Sequence, residues 1–282
     1  LVSETGEVLC NKRIQSPATY DKMMDAIIEL VSELGNETKV EGAGFSIPGS
    51  IDPQTNLLRN APNSPCINGT DFFKVLSQNL DLPIQCENDA NCLVMSEHRF
   101  GVAKEQEHVV GIILGTGVGA GVISNGKLMH GSRGLAPELG HTVLDVNGRL
   151  CLCGNQGCVE AYLSGPSILK RYHEAGGDEA LQDTKELFKN TDAIKQKIID
   201  ETKYLFSRFI ATIVSMYDPQ MIVLGGGLSQ QAMYYKCEEM ISKYIFGSGK
   251  SPNLKPAIHG DASGKLGAAG LILFSRFYNS EN

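Results

Sequence analysis

Three cysteines fall within the eight residues Cys151-x-Cys153-Gly-x-x-Gly-Cys158, and Gly140-His141 lies just ahead, with nine residues between His141 and Cys151. Three thiolates and one imidazole complete the tetrahedron that zinc prefers, and the close spacing with two glycines lets the chain wrap a single ion. A lone cysteine most often packs as a small hydrophobe, and a lone histidine as a satisfied core residue. The combination predicts a metal site made by His141, Cys151, Cys153 and Cys158. All four positions of the tetrahedron are then protein ligands, so no position stays open for a substrate and the predicted zinc is structural. Glu138 lies three residues before His141 and Glu160 two after Cys158. Most glutamates are surface carboxylates, but two that a metal knot holds in place suit hydrogen bonding to sugar hydroxyls.

The other five cysteines, Cys10, Cys66, Cys86, Cys92 and Cys237, are scattered and read as reduced core thiols, because a chain of 282 residues folds without disulfide staples. With 42% hydrophobic residues it can bury one large core or, as expected here, two smaller ones in two lobes. The 25 basic residues are outnumbered by 32 acidic ones, a net charge of −7, and no Lys/Arg run forms a stripe for a nucleic-acid backbone. Nucleic acid is not expected as a partner. No stretch approaches the ~20 apolar residues that span a bilayer, and residues 1–15 lack the order of a signal peptide, so no membrane association and a soluble cytoplasmic protein are expected.

Strand and helix signals alternate along the chain. Residues 8–15 read as a strand, 20–34 as a helix stopped by Gly35-Asn36, and 40–47 as a strand ended by Pro48-Gly49. A Pro/Asn-rich loop, a helix over 71–80, a strand over 83–86 and a helix over 89–99 follow. Next comes a hairpin with strands at 109–114 and 122–124 around the glycine-rich run 115–121, turning at Asn125-Gly126. In the second half an amphipathic helix carries Ile198, Leu205, Phe209 and Ile213 and ends at Asp218-Pro219. The strand 221–224 runs into Gly225-Gly226-Gly227 and a helix over 230–245, the order of an α/β nucleotide site. A last helix is expected over 264–277.

In the run 115–121 the missing Cβ atoms let backbone N–H groups approach an anion, and Thr116 adds a hydroxyl. The run can equally be a sharply bent hairpin. It is not a Walker A loop, since the Gly-Lys-Ser/Thr ending is absent. Gly225, Gly226 and Gly227 can likewise be only a tight strand-to-helix turn. Asn88-Asp89 follows a strand and opens a helix, where a cap is the commoner role. A carboxylate there, beside a glycine-rich loop, is also where a phosphoryl-transfer enzyme places the base that accepts the proton of an attacking hydroxyl.

Taken together, Gly42-x-Gly44-x-x-Ile47-Pro48-Gly49, Glu87-Asn88-Asp89-Ala90-Asn91, Gly115-Thr116-Gly117-x-Gly119, Glu138-Leu139-Gly140-His141 and the cysteine knot with Glu160 resemble the ROK family of repressors, uncharacterised reading frames and kinases. The resemblance covers nearly the whole chain. It implies an α/β fold of two lobes, hexokinase- and actin-like (ribonuclease H-like), with a zinc-binding loop and with ATP and sugar between the lobes. The expected division is a small lobe over 1–105, with the C-terminal helix 264–282 packing back on it, and a large lobe over 106–263 that carries the knot 141–158. The resemblance also implies Asp89 as catalytic base, with Gly49, Asn88, Glu138, His141 and Glu160 around the sugar, and a homodimer. His141 would bind zinc with one ring nitrogen and reach a sugar hydroxyl with the other. Ile47-Pro48-Gly49-Ser50-Ile51, Asn60-Ala61, Ile245-Phe246-Gly247 and the segment 259–264 look most similar to the family's bacterial fructokinases and N-acetylglucosamine kinases.

The expected activity is transfer of a phosphoryl group from ATP, with magnesium, to the 6-hydroxyl of a hexose: fructose, or N-acetylglucosamine, mannose or glucose. Gly115, Thr116, Gly117, Gly225, Gly226 and Gly227 would receive the nucleotide. The alternatives are a sugar-responsive repressor of the same family and a non-catalytic sugar-binding protein. The family's kinases open on a strand and an Asp-x-Gly-Gly-Thr loop, which does not occur here. Because the chain starts at Leu1 rather than Met, a preceding segment is expected to supply it.

Overall fold

The computed structural model describes residues 1–36, 38–61, 64–189, 192–247 and 249–274. The elements in chain order are α1 (Tyr20–Gly35), β1 (Ala43–Ile47), β2 (Ser50–Ile51), β3 (Leu58–Arg59), α2 (Phe72–Asn79), β4 (Ile84–Asn88), α3 (Asp89–Phe100), β5 (Val109–Leu114), β6 (Val118–Ser124) and β7 (Lys127–Leu128). They continue with α4 (Glu160–Leu163), α5 (Gly165–Glu174), α6 (Thr184–Leu187), α7 (Ala193–Tyr217), β8 (Met221–Gly225), α8 (Glu238–Ser242), β9 (Asn253–Pro256) and α9 (Ser263–Leu273).

Two sheets organise the site. In the first, β1 and β4 pair in parallel, with Ile47 opposite Asn88. The second has the order β7-β6-β5-β8-β9, with β5, β8 and β9 parallel, β6 antiparallel to β5 and β7 antiparallel to β6. The inner strands are apolar throughout because both faces are buried. Val110, Ile112, Leu114, Ile222 and Leu224 join the core beneath α4, α5 and α7, while Val109, Ile123, Met221 and Val223 join a second core under α3. A third core, around Leu58, Phe72 and Leu76, fills the space between α1, α2 and the β1–β4 sheet. The chain from α9 packs on α3, β1 and β4. Residues 275–282, part of the last expected helix, lie outside the described residues.

The face of the large sheet that meets α3 is lined by glycine. An added Cβ would lie 2.8 Å from Val94 Cβ at Gly111, 3.2 Å from Ala90 Cβ at Gly119, 2.7 Å from the Ala90 carbonyl at Gly121 and 2.5 Å from Leu93 Cδ1 at Gly225. These four residues form a trough that lets the helix lie against the strands at a distance no side chain permits. The expectation of a loop over 115–121 is therefore corrected. Only 115–117 turn, and 118–121 belong to β6, where the glycines serve the close seat of α3.

Three other expectations change. Residues 8–15 form no strand; Val8 makes a single bridge to Val2, and Leu9 and Ile14 stay exposed with no described strand alongside. The helix expected over 230–245 is broken, leaving only α8 as an α-helix. Met233, Tyr234 and Tyr235 all pack against the large core in succession, which one helical stripe cannot do. Within the loop after Gly49 the hairpin β2–β3 appears, which no periodic signal announces.

Candidate active site

The β1–β4 sheet delivers Gly49 and Asn88 side by side. The Asn88 side-chain amide donates to the Gly49 carbonyl at 2.9 Å, and Asn88 Oδ1 accepts from Ala90 N at 2.9 Å. A Cβ on Gly49 would run into the Arg59 carbonyl, so the turn closes only with glycine. Asn88 is thus the helix cap, and Asp89 is left at the first helical position, where its Oδ1 also accepts from Ala90 N, at 2.8 Å. Burial pushes the Asp89 carboxyl above its ordinary range, against the hydrogen bonds from Ala90 N and Asn88 that lower it.

A cleft of ≈ 1070 Å³ opens in front of Asp89. All six residues expected around a substrate, Gly49, Asn88, Asp89, Glu138, His141 and Glu160, line it. Burial raises the Glu138 carboxyl, with His141 bringing it down and the nearby Glu160 and Asp89 charges pushing it up. Glu160 is anchored differently: its Oε2 accepts Val118 N at 2.9 Å, and a Cβ on Gly117 would come 2.7 Å from the same oxygen.

The two glycine turns meet at the carboxyl ends of β5 and β8, where Ile113 lies opposite Gly225. Gly117 lines the cleft, Thr116 is exposed on the turn, and the Cβ position of Gly115 lies 3.9 Å from Gly227 N. A Cβ on Gly226 would come 2.5 Å from the Leu114 carbonyl. The turn 115–117 therefore spans the distance between the Asp89 cleft and the turn 225–227. Gly115, Thr116, Gly225, Gly226 and Gly227 sit beside the cleft rather than in its lining. Lys185, which no sequence signal pointed to, places Nζ 3.6 Å from the Cβ position of Gly227.

His141, Cys151, Cys153 and Cys158 present four ligand atoms within 4.8 Å of one another, a group that could hold a metal ion. Cys153 Sγ and Cys158 Sγ are 3.7 Å apart, and Cys151 Sγ lies 3.8 Å from His141 Nδ1. With a zinc–sulfur bond of about 2.3 Å, the edge of a tetrahedron is roughly 3.8 Å, so the donor set fits zinc. The loop is folded by its own backbone. Val143 bridges to Cys158 and Leu150 to Gln156, while Gly154 and Gly157 take φ of 89° and 80°. Tyr162 Oη ties the knot to α4 by donating to Asp145 at 3.1 Å and accepting Arg149 N at 2.9 Å. Leu152 and Cys153 continue the knot into the cleft wall.

Glu87 stood in a motif with no role assigned to it, and no sequence signal pointed to His130. Burial alone would raise the Glu87 carboxyl, but the hydrogen bond and charge of His130, with the donors Asn91 and Asn88 N, hold it below its ordinary value. Among the described residues no helix is long and apolar enough to cross a membrane.

These features place the chain among mixed α/β proteins whose ligand cleft opens at the carboxyl ends of parallel strands. It belongs to the ROK family, whose profile matches residues 1–274. It is 34% identical over 284 residues to the N-acetyl-D-glucosamine kinase of Mannheimia succiniciproducens, across 93% of this chain and 91% of that protein. The structure of a ROK family glucokinase from Streptomyces griseus in complex with glucose and AMPPNP is similar at 27% identity with a TM-score of 0.79, covering 96% of this chain and 93% of that one. A ROK family transcriptional regulator, a homologue of the E. coli MLC protein, gives a TM-score of 0.84 at 21% identity, covering 96% of this chain and 73% of its own. At that identity the likeness concerns the fold alone.

Proposed function

We propose that the protein is an ATP-dependent hexose kinase that phosphorylates the 6-hydroxyl of its sugar. The observation that carries this reading is Asp89: a cleft-lining carboxylate at a helix start with a raised pKa, in one cleft with Glu138, His141 and Glu160 and next to the turn 115–117. In the reaction Asp89 takes the proton of the sugar hydroxyl as its oxygen attacks the γ-phosphorus of ATP, and the bond to ADP breaks. Gly49, Asn88, Glu138, His141 and Glu160 hold the remaining hydroxyls. Gly115, Thr116 and Gly117 receive the phosphates, and Gly225, Gly226 and Gly227 let the nucleotide pass along the backbone. Magnesium belongs to the nucleotide in this reading.

Zinc would be held by His141, Cys151, Cys153 and Cys158, and its contribution is structural. Nδ1 of His141 faces Cys151, which leaves the other ring nitrogen for the sugar. Residues 1–105 with the helix from 264 form the small lobe and 106–263 the large one, with closure excluding water from the transfer. The relatives named above favour glucose and N-acetylglucosamine over fructose. A homodimer in the cytoplasm completes the reading.

The test is ADP release by the gene's full-length product with ATP, magnesium and each of glucose, mannose, fructose and N-acetylglucosamine. Turnover with at least one hexose and a 6-phosphate product is expected. Sugar binding without turnover for any of them would favour a regulator of the same fold.

A further inference from the structure

Asp89 must be aimed as well as ionised, and the contacts that aim it run through Glu87. Glu87 sits on β4, two residues before Asp89. Its Oε1 accepts the backbone N–H of Asn88 at 2.8 Å and the side-chain amide of Asn91 at 2.9 Å. Asn88 then caps α3 and holds the Gly49 carbonyl, so one carboxylate oxygen fixes the cap, the first turn of the helix and, through them, the Gly49 turn. The other oxygen, Oε2, lies 2.6 Å from Nε2 of His130.

His130 comes from a different part of the molecule. It follows β7, at the edge of the large sheet, on the loop that leads to Glu138. The same loop is fastened to the β2–β3 hairpin by Arg59, whose guanidinium donates to the Arg133 carbonyl. Glu87 and His130 also face, with Asp89 and Glu138, a cavity of ≈ 90 Å³ that shares Asn88, Asp89 and Glu138 with the main cleft. The pair thus joins the strand that carries the base to the loop that carries a sugar ligand.

We infer that Glu87 and His130 are positioning residues for phosphoryl transfer: the His130–Glu87 ion pair sets Asn88, and through it Asp89, against the loop bearing Glu138. The inference rests on the kinase reading above. Rate depends on the aim of the base far more steeply than sugar binding does, because binding is spread over Gly49, Asn88, Glu138, His141 and Glu160. A misplacement near 1 Å costs about 100-fold in rate.

The experiment measures kcat, sugar KM and calorimetric sugar affinity for the full-length protein carrying Glu87→Ala, Glu87→Gln, His130→Ala and the double change Glu87→Ala/His130→Ala. Glu87→Ala should lower kcat by about 30- to 100-fold, with sugar affinity within roughly threefold of wild type. Glu87→Gln keeps an oxygen for Asn88 N and should recover much of that loss. His130→Ala should cost about tenfold in kcat, and nothing further in the Glu87→Ala background, because the two act through one chain of contacts. His130 is half exposed, so its truncation carries the test even if Glu87→Ala fails to fold. Wild-type kcat in His130→Ala, or losses that add in the double variant, would overturn the assignment. A wild-type protein that phosphorylates no sugar overturns the kinase reading and this assignment with it; an active wild type beside variants of equal kcat overturns this assignment alone.

Discussion

Glu160 accepts the backbone N–H of Val118 at 2.9 Å, so a carboxylate two residues past Cys158 is bolted to the turn that opens the glycine run. That contact joins three parts of the site: the cysteine knot, the cleft and the turn 115–117. It also explains why Gly117 has no side chain, since a Cβ would meet the same oxygen at 2.7 Å.

Metal removal should therefore damage sugar binding before it unfolds the protein. The knot fixes His141 and both flanking carboxylates; Cys151 and Cys158 also join the core around Phe206, whereas the core around Leu76 contains none of the knot. Chelation, or Cys153→Ala, should weaken sugar affinity by more than the ~0.5–1.5 kcal/mol that one neutral hydrogen bond contributes, with far-UV circular dichroism largely kept. Elemental analysis should find one zinc per chain. Unchanged sugar affinity after verified metal loss would remove the link between knot and cleft.

The glycine trough makes a separate prediction. In Gly121→Ala the new methyl group would meet the Ala90 carbonyl at 2.7 Å, and that atom is backbone that cannot swing away. The first turn of α3 must lift, at a cost of about 1–3 kcal/mol in stability. Since that turn carries Asp89, kcat should fall along with the melting temperature. Gly126→Ala, at a position with no atom within 4 Å of the Cβ but with φ of 70°, should destabilise through backbone strain and leave kcat unchanged.

Asp89 also gives the protein a definite pH dependence. Its folded pKa is raised by burial, so the folded state favours the protonated form. The stabilisation this brings is complete below the unfolded value, near ~4, and is lost as pH rises through the folded value. Asp89→Asn should consequently melt higher than wild type at pH 7, with the gap closing toward pH 4. In the wild type kcat should fall on the acid side through an apparent pKa above the ordinary aspartate range. A melting temperature equal to wild type across that range would mean that Asp89 is not held in a desolvated setting.

Much of this was legible in the sequence, for reasons particular elements make plain. The helical spacing of Met23, Ile27 and Val31 gave α1, and the apolar run before Gly225 gave β8, because burial imposes those patterns directly. The six cleft residues could be named because each lies in a dense motif. What escaped was settled by contacts distant in sequence. Glycines at 119 and 121 look like loop until α3 is laid across them. His130 and Glu87 are 43 residues apart, and a single glutamate carries no local mark of its partner. The two-residue strands β2 and β3 are too short to show a period.

The role of Asp89 as proton acceptor in phosphoryl transfer to a sugar can be measured directly. The direct measurement compares Asp89→Asn with wild type in one preparation each, by ADP release with the preferred hexose and by calorimetric titration with that hexose. Asparagine keeps the shape and the acceptor for Ala90 N but cannot take a proton. Turnover should fall by at least about 100-fold, with sugar affinity within a few-fold of wild type. Near-normal turnover in Asp89→Asn would contradict that role and return Asp89 to a structural place at the start of α3.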